Sequence, residues 1–100
     1  VYPSRMKTAQ KNTSAITVTV KYLSVLRDKT GIRQEEVSFP EKSVLGEVAE
    51  LVHGRYGIKV PDPLVMFVLN GRGWNQYPER LATPLKNGDI ILIFPPVSGG

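Results

Sequence analysis

The run Ile90-Ile91-Leu92-Ile93-Phe94, followed at once by Pro95-Pro96, leaves this chain few ways to fold. Five apolar residues, three of them β-branched, are too few for a stable helix. They read as a strand buried on both faces, which belongs inside a sheet. Pro95 and Pro96 have no amide to donate to a ladder and hold φ near about −65°, so the strand stops and the chain leaves as a stiff, extended arm. Beyond Val97 and Ser98, Gly99 and Gly100 have no side chains to pack, and the sequence closes on a thin, flexible tip. A Gly-Gly end is, by itself, equally a frayed end. This one follows a core strand with no polar spacer, and two prolines hold it clear of the body.

The rest of the chain reads as a support for that strand. Residues 1–14 are rich in Lys, Thr, Ser, Asn and Gln without a sustained period, and are expected to form a disordered arm in which Met6 is a candidate natural start. Ile16, Val18, Val20 and Tyr22 alternate with Thr17, Thr19, Lys21 and Leu23, the period of a half-buried strand. One helical turn is expected over residues 24–29, closed by Thr30-Gly31. Residues 33–39 then pair back as a second strand with Val37 and Phe39 inward, ending at Pro40. Ser43 is the expected N-cap of the main helix, residues 44–56, where Val44, Leu45, Val48, Leu51, Val52 and Tyr56 form one apolar stripe. Gly57 is the expected left-handed C-cap. Residues 64–69 read as a third buried strand, followed by an Asn70-Gly71 turn. Residues 72–83 read as irregular, with Leu81 and Leu85 plugging the core. Lys86-Asn87-Gly88-Asp89 is a tight turn into the last strand, with Gly88 at positive φ.

These elements predict one α+β domain over residues 15–94, with a helix packed across a mixed sheet of four to five strands and a tail over residues 95–100. One hundred residues allow a single modest core. No apolar run approaches the roughly 18 residues of a membrane span, and no secretory pattern opens the sequence, so a cytoplasmic protein is the expectation. The net charge of +4 owes three charges to Arg5, Lys7 and Lys11 in the opening segment. No basic stripe interleaved with aromatics follows, which argues against a nucleic-acid groove. His53, the only histidine, has no Cys or paired carboxylate beside it and reads as a solvated helix residue. No catalytic triad, phosphate-binding glycine loop or metal cluster is apparent.

Several stretches occur in a telling order: Val18-Thr19-Val20-Lys21-Tyr22, then Leu26-Arg27 with Gly31, then Asn70-Gly71, then Leu85-Lys86-Asn87-Gly88-Asp89, then Phe94-Pro95-Pro96-Val97-Ser98-Gly99-Gly100. Together they resemble the MoaD family of ubiquitin-like sulfur carriers, which includes the small subunit of molybdopterin synthase. The resemblance implies a β-grasp topology, with the first and last strands parallel at the centre. The connection from Asn70 to Leu85 looks longer than in compact bacterial members and is similar to that of the archaeal small modifier proteins. The thiamine-pathway carriers are a poorer fit, being generally shorter and without the Phe-Pro-Pro step.

The resemblance also implies a mechanism. Gly100 would be adenylated by an E1-like enzyme using ATP, and a sulfur donor protein would convert it to a thiocarboxylate. A large catalytic subunit of molybdopterin synthase would then take the sulfur. The chain itself would bind no cofactor. With no Cys in the sequence, the terminal carboxylate is the remaining place to carry sulfur. Phe94 at the root of the tail, with Leu23 and Trp74, would form the patch that partners recognise, although all three are equally readable as core or capping residues. Other uses compatible with the same features are a protein modifier, a sulfur carrier for tRNA thiolation or for cysteine or thiamine synthesis, and a non-covalent β-grasp interaction module.

Overall fold

The computed structural model describes residues 15–96. The expected arm over residues 1–14 and the tail residues 97–100 lie outside the described residues.

The alternation in the first strand has the consequence it should. In β1 (Ala15–Tyr22) the side chains of Ile16, Val18, Val20 and Tyr22 are buried, while Thr17, Thr19 and Lys21 line the opposite face. A short helix α1 (Val25–Thr30) follows and ends at Gly31, whose φ of 82° suits its left-handed cap. Strand β2 (Gln34–Pro40) returns antiparallel to β1, placing Val37 and Phe39 on the buried side. The main helix α2 (Leu45–Tyr56) lays Leu45, Val48, Ala49 and Val52 on that same side and is capped by Gly57 at φ 70°.

Four departures from the sequence expectation have physical causes. Ser43 is not the N-cap: its hydroxyl donates to the Pro40 carbonyl at 2.7 Å, and Val44 holds the cap position. Glu47 reaches back to accept the Val44 N–H at 2.9 Å, half of a capping box. The third strand is shorter, β3 (Met66–Leu69), because Val65 is drawn into a turn by its N–H bond to the Asp62 carbonyl. The stretch beyond Asn70-Gly71 is not wholly irregular. It opens with β4 (Arg72–Gly73), paired to β3 through a two-residue turn in which Asn70 and Gly71 both have positive φ. Two 3-10 turns follow, Trp74–Gln76 and Arg80–Ala82.

The fourth departure concerns β5 (Ile90–Phe94). It is central, parallel to β1 and antiparallel to β3, in a five-stranded sheet ordered β2-β1-β5-β3-β4. Yet it is buried on one face only. Ile91 and Ile93 are fully buried under α2, whereas Ile90 is 40% exposed and Leu92 and Phe94 are half-buried. A single main helix covers one side of the sheet, and nothing described covers the other.

The end of the sheet opposite the tail is pinned by the two Asn-Gly turns. Buried Asp89 accepts from Asn70 Nδ2 at 2.9 Å and from the Lys86 N–H at 2.7 Å. Asn70 Oδ1 in turn accepts the Ile90 N–H, and Asn87 Oδ1 accepts the Thr17 N–H. Asp89→Ala would leave two part-buried donors without their acceptor at once, and we expect it to cost about 2 kcal/mol and more than about 8 °C of melting temperature. A thermal melt checks this; an unchanged midpoint would mean that the clamp is ornamental.

Candidate functional site

β5 delivers the chain to the site. Its last residue, Phe94, lies opposite Met66 of β3, and the Leu23 N–H donates to the Ile93 carbonyl at 3.1 Å, so Leu23 continues β1 alongside Phe94. Pro95 is half-buried against this end of the sheet and Pro96 is exposed. The strand is thus released at one end of the domain, between the C-terminal end of β1 and the N-terminal end of β3. Ser24, at φ 60° and ψ −136°, makes the sharp reversal that ends β1 there and starts α1, a backbone geometry more usual for glycine.

The exit is rimmed by apolar side chains that the core does not take in. Leu23 and Met66 are each 39% exposed, with Val25 and Leu64 more so. They continue into the open face of the sheet, where Phe94 faces Met66 and Leu92 faces Val68 across β5 and β3, with Ile90 beyond. On the other side Thr19 and Lys21 of β1, then Gln34, Glu36 and Ser38 of β2, make the face polar. The result is an apolar band two strands wide with a polar flank, the anatomy of a surface that meets another protein.

Of the three residues expected at this patch, Leu23 and Phe94 are brought together and Trp74 is not. Gly73 pairs with Val68, so Trp74 falls opposite Phe67 and packs toward the core side. There it walls a cleft of about 420 Å³ at the edge of the sheet, together with Pro61, Val65, Met66 and Asp62. Met66, Leu64, Leu92, Val68, Ile90 and Val25 were missed by the sequence reading. For the strand residues a signal existed: the Thr and Lys positions of β1 mark an open face, and a strand parallel to β1 shares it.

The root is braced from below by one carboxylate. Glu35 Oε2 accepts the hydroxyls of Tyr22 and Tyr56, each at 2.7 Å, and Glu35 Oε1 accepts from Arg55 at 2.6 Å. The two tyrosine rings meet edge to face at 5.4 Å. This ties the last buried residue of β1 and the end of α2 to β2. Burial first, then the bond to Glu35, pushes the Tyr22 hydroxyl far above its ordinary range, and Tyr56 moves upward for the same two causes. The native state therefore keeps protons that the unfolded chain releases near pH 10. Stability from this cluster is complete below about pH 10 and declines above it, by up to about 1.4 kcal/mol per pH unit for the fully buried Tyr22. Urea melts from pH 9 to 11.5 should show that fall, and Tyr22→Phe should flatten it.

Among the described residues no three His, Cys, Asp or Glu side chains come together as a metal site, and no helix is long and apolar enough to cross a membrane. His53 is exposed on α2. The described residues present a scaffold, an apolar exit and a departing strand.

Five strands in the order β2-β1-β5-β3-β4, a parallel central pair and one helix across them define a ubiquitin-like β-grasp protein. The chain belongs to the ThiS family, whose model matches residues 20–100, and so to the ubiquitin-fold sulfur carriers and modifiers. Its kinship with MoaD-like proteins and archaeal modifiers is seen in solved structures. Molybdopterin converting factor, subunit 1, as the Pyrococcus furiosus protein is named, is 27% identical with a TM-score of 0.67, covering 82% of this chain and 99% of that one. Small archaeal modifier protein 1 from Methanosarcina acetivorans is 25% identical, also at 0.67, covering 87% and 99%. The complex of subunits 1 and 2 of molybdopterin-converting factor from Helicobacter pylori contains a chain 25% identical at 0.58, covering 85% and 100%. No curated protein matches.

Proposed function

We propose that this protein carries sulfur on Gly100 and serves as the small subunit of molybdopterin synthase. The observation that supports this most is the exit of central strand β5 through Phe94-Pro95-Pro96 toward Val97-Ser98-Gly99-Gly100, all within the residues that the family model matches. A glycine carboxylate has no Cβ to obstruct a narrow channel. It is also a poor electrophile, so an E1-like partner must first let it attack the α-phosphate of ATP, releasing pyrophosphate and leaving an acyl-adenylate. Sulfide (HS⁻) supplied by a donor protein then attacks the carbonyl, displacing AMP and leaving a thiocarboxylate. The acid-base chemistry belongs to those partners. The large subunit would grip the apolar exit at Leu23 and Phe94 and draw in the tail, and Trp74 offers a further contact at the sheet edge. The Helicobacter pylori complex of subunits 1 and 2 supports a partner of that kind.

Incubation with an E1-like enzyme, ATP and a sulfur donor should raise the protein's mass by about 16 Da, sulfur replacing oxygen at Gly100. Unchanged mass, with an enzyme that charges another carrier in the same tube, overturns the reading. The likeness to small archaeal modifier protein 1 favours a second use, in which Gly100 ends in an isopeptide bond to lysine. Peptide mapping for a Gly-Gly remnant on lysines of cell proteins separates the two.

A further inference from the structure

At the tail exit one residue holds a backbone shape that its side chain disfavours. Ser24 lies at φ 60° and ψ −136°, a region open to glycine and costly for a residue with a Cβ. Hydrogen bonds on both sides hold it there. The Leu23 N–H donates to the Ile93 carbonyl at 3.1 Å, which keeps Leu23 beside β5. The carbonyls of Leu23 and Ser24 accept the N–H groups of Leu26 at 3.2 Å and Arg27 at 3.0 Å, which fixes the first turn of α1. The reversal leaves Leu23, Ser24 and Val25 exposed in succession, where a continued strand would have turned Ser24 to the buried side with Tyr22.

The fold has no use for this side chain. A serine at the start of a helix ordinarily turns its hydroxyl back to accept an amide of the first turn. Here the Leu26 and Arg27 amides go to backbone carbonyls, and the Ser24 hydroxyl makes no cap bond. Glycine would meet every backbone requirement of the position without strain. A strained residue with an exposed hydroxyl, set between apolar side chains 39% and 60% exposed, has the character of a recognition contact. We propose that Ser24 is a specificity-determining residue of the exit: its hydroxyl hydrogen-bonds a main-chain group of the large subunit, with Leu23 and Val25 packed on either side of that bond. The inference rests on the reading of the exit as the surface that the large subunit grips. The strain has a part in it, because a backbone fixed on both sides presents the hydroxyl ready for binding and loses little freedom there. A partner that offers only apolar surface at this point leaves the hydroxyl unpaired and is rejected.

Titrations of the whole protein with the large subunit, run beside thermal melts, test this. Ser24→Ala keeps the Cβ and the strain; it should bind about fivefold more weakly, the scale of one neutral hydrogen bond, and melt within about 2 °C of the wild type. Ser24→Gly should melt about 4 °C higher as the strain is relieved, and still bind at least about fivefold more weakly. A merely structural residue would move both readouts in the same direction. Lys42 is the control, at φ 76° beyond the Pro40 that pairs with Ala15 at the other end of β1, and Lys42→Gly should leave binding unchanged. Undiminished binding by Ser24→Ala, where Phe94→Ala binds weakly, overturns the inference and leaves the reading of the exit standing. If neither variant binds more weakly, or the wild type does not bind, that reading falls and the inference with it. A lower melting temperature for Ser24→Gly removes the strain from the account and overturns the inference, as does an equal loss of binding in Lys42→Gly.

Discussion

Deleting Gly99 and Gly100 should lower the rate of thiocarboxylate formation by at least about 100-fold, because the group to be adenylated is no longer held where the partner's ATP can be attacked. The melting temperature should stay within about 2 °C, since the core residues run from Ile16 to Ile93 and lie wholly before the deletion. Mass spectrometry of the charged product and a thermal melt read the two halves separately. A non-covalent interaction module would keep its partners and its function after this deletion, which a carrier cannot. Gly100→Ala sharpens the test: it keeps a carboxylate and adds one methyl group, so a fall in charging with that variant measures how narrow the partner's channel is. Charging that survives the double deletion removes Gly100 from the mechanism.

What could be read in the residues depended on whether a period survived in them. β1 alternates strictly, and its buried set was legible one residue at a time; α2 carried a clear three-and-four stripe and a glycine at its end. β5 has no polar residue at all, so its pattern could not show that Ile90, Leu92 and Phe94 look away from the helix. That fact belongs to the layer count, one main helix against one sheet, and not to the strand. Ser43 does not cap the helix because its buried hydroxyl donates to the Pro40 carbonyl one residue short of the cap position, which Val44 holds. β4 is two residues long, below anything periodicity can detect, and only the Asn-Gly turn before it hinted at a return strand. The position of Trp74 in the edge cleft follows from that two-residue strand, which places it opposite Phe67 and away from Phe94. The end of β5 at Phe94 was legible because proline acts locally.

The adjacent residues Ile93 and Phe94 separate scaffold from surface. Ile93 is fully buried, aligned with Tyr22 on one side and Phe67 on the other. Ile93→Ala should cost about 2–5 kcal/mol of stability, because the packed side of the sheet cannot close over the lost atoms. Phe94, one residue on, faces Met66 on the uncovered side, so truncating it leaves little cavity. Phe94→Ala should cost no more than about 1 kcal/mol of stability and yet weaken the large subunit at least about 30-fold, the loss expected of an aromatic anchor at an interface. Urea melts and a binding titration on both variants decide the matter. If Phe94→Ala unfolds as readily as Ile93→Ala, Phe94 is core, and the docking surface must be sought elsewhere. If Phe94→Ala is stable and binds undiminished, the apolar band around the exit is not the contact that positions the tail. A stable variant that fails to bind places recognition on the uncovered face and leaves the covered one to hold β5 in register beneath it.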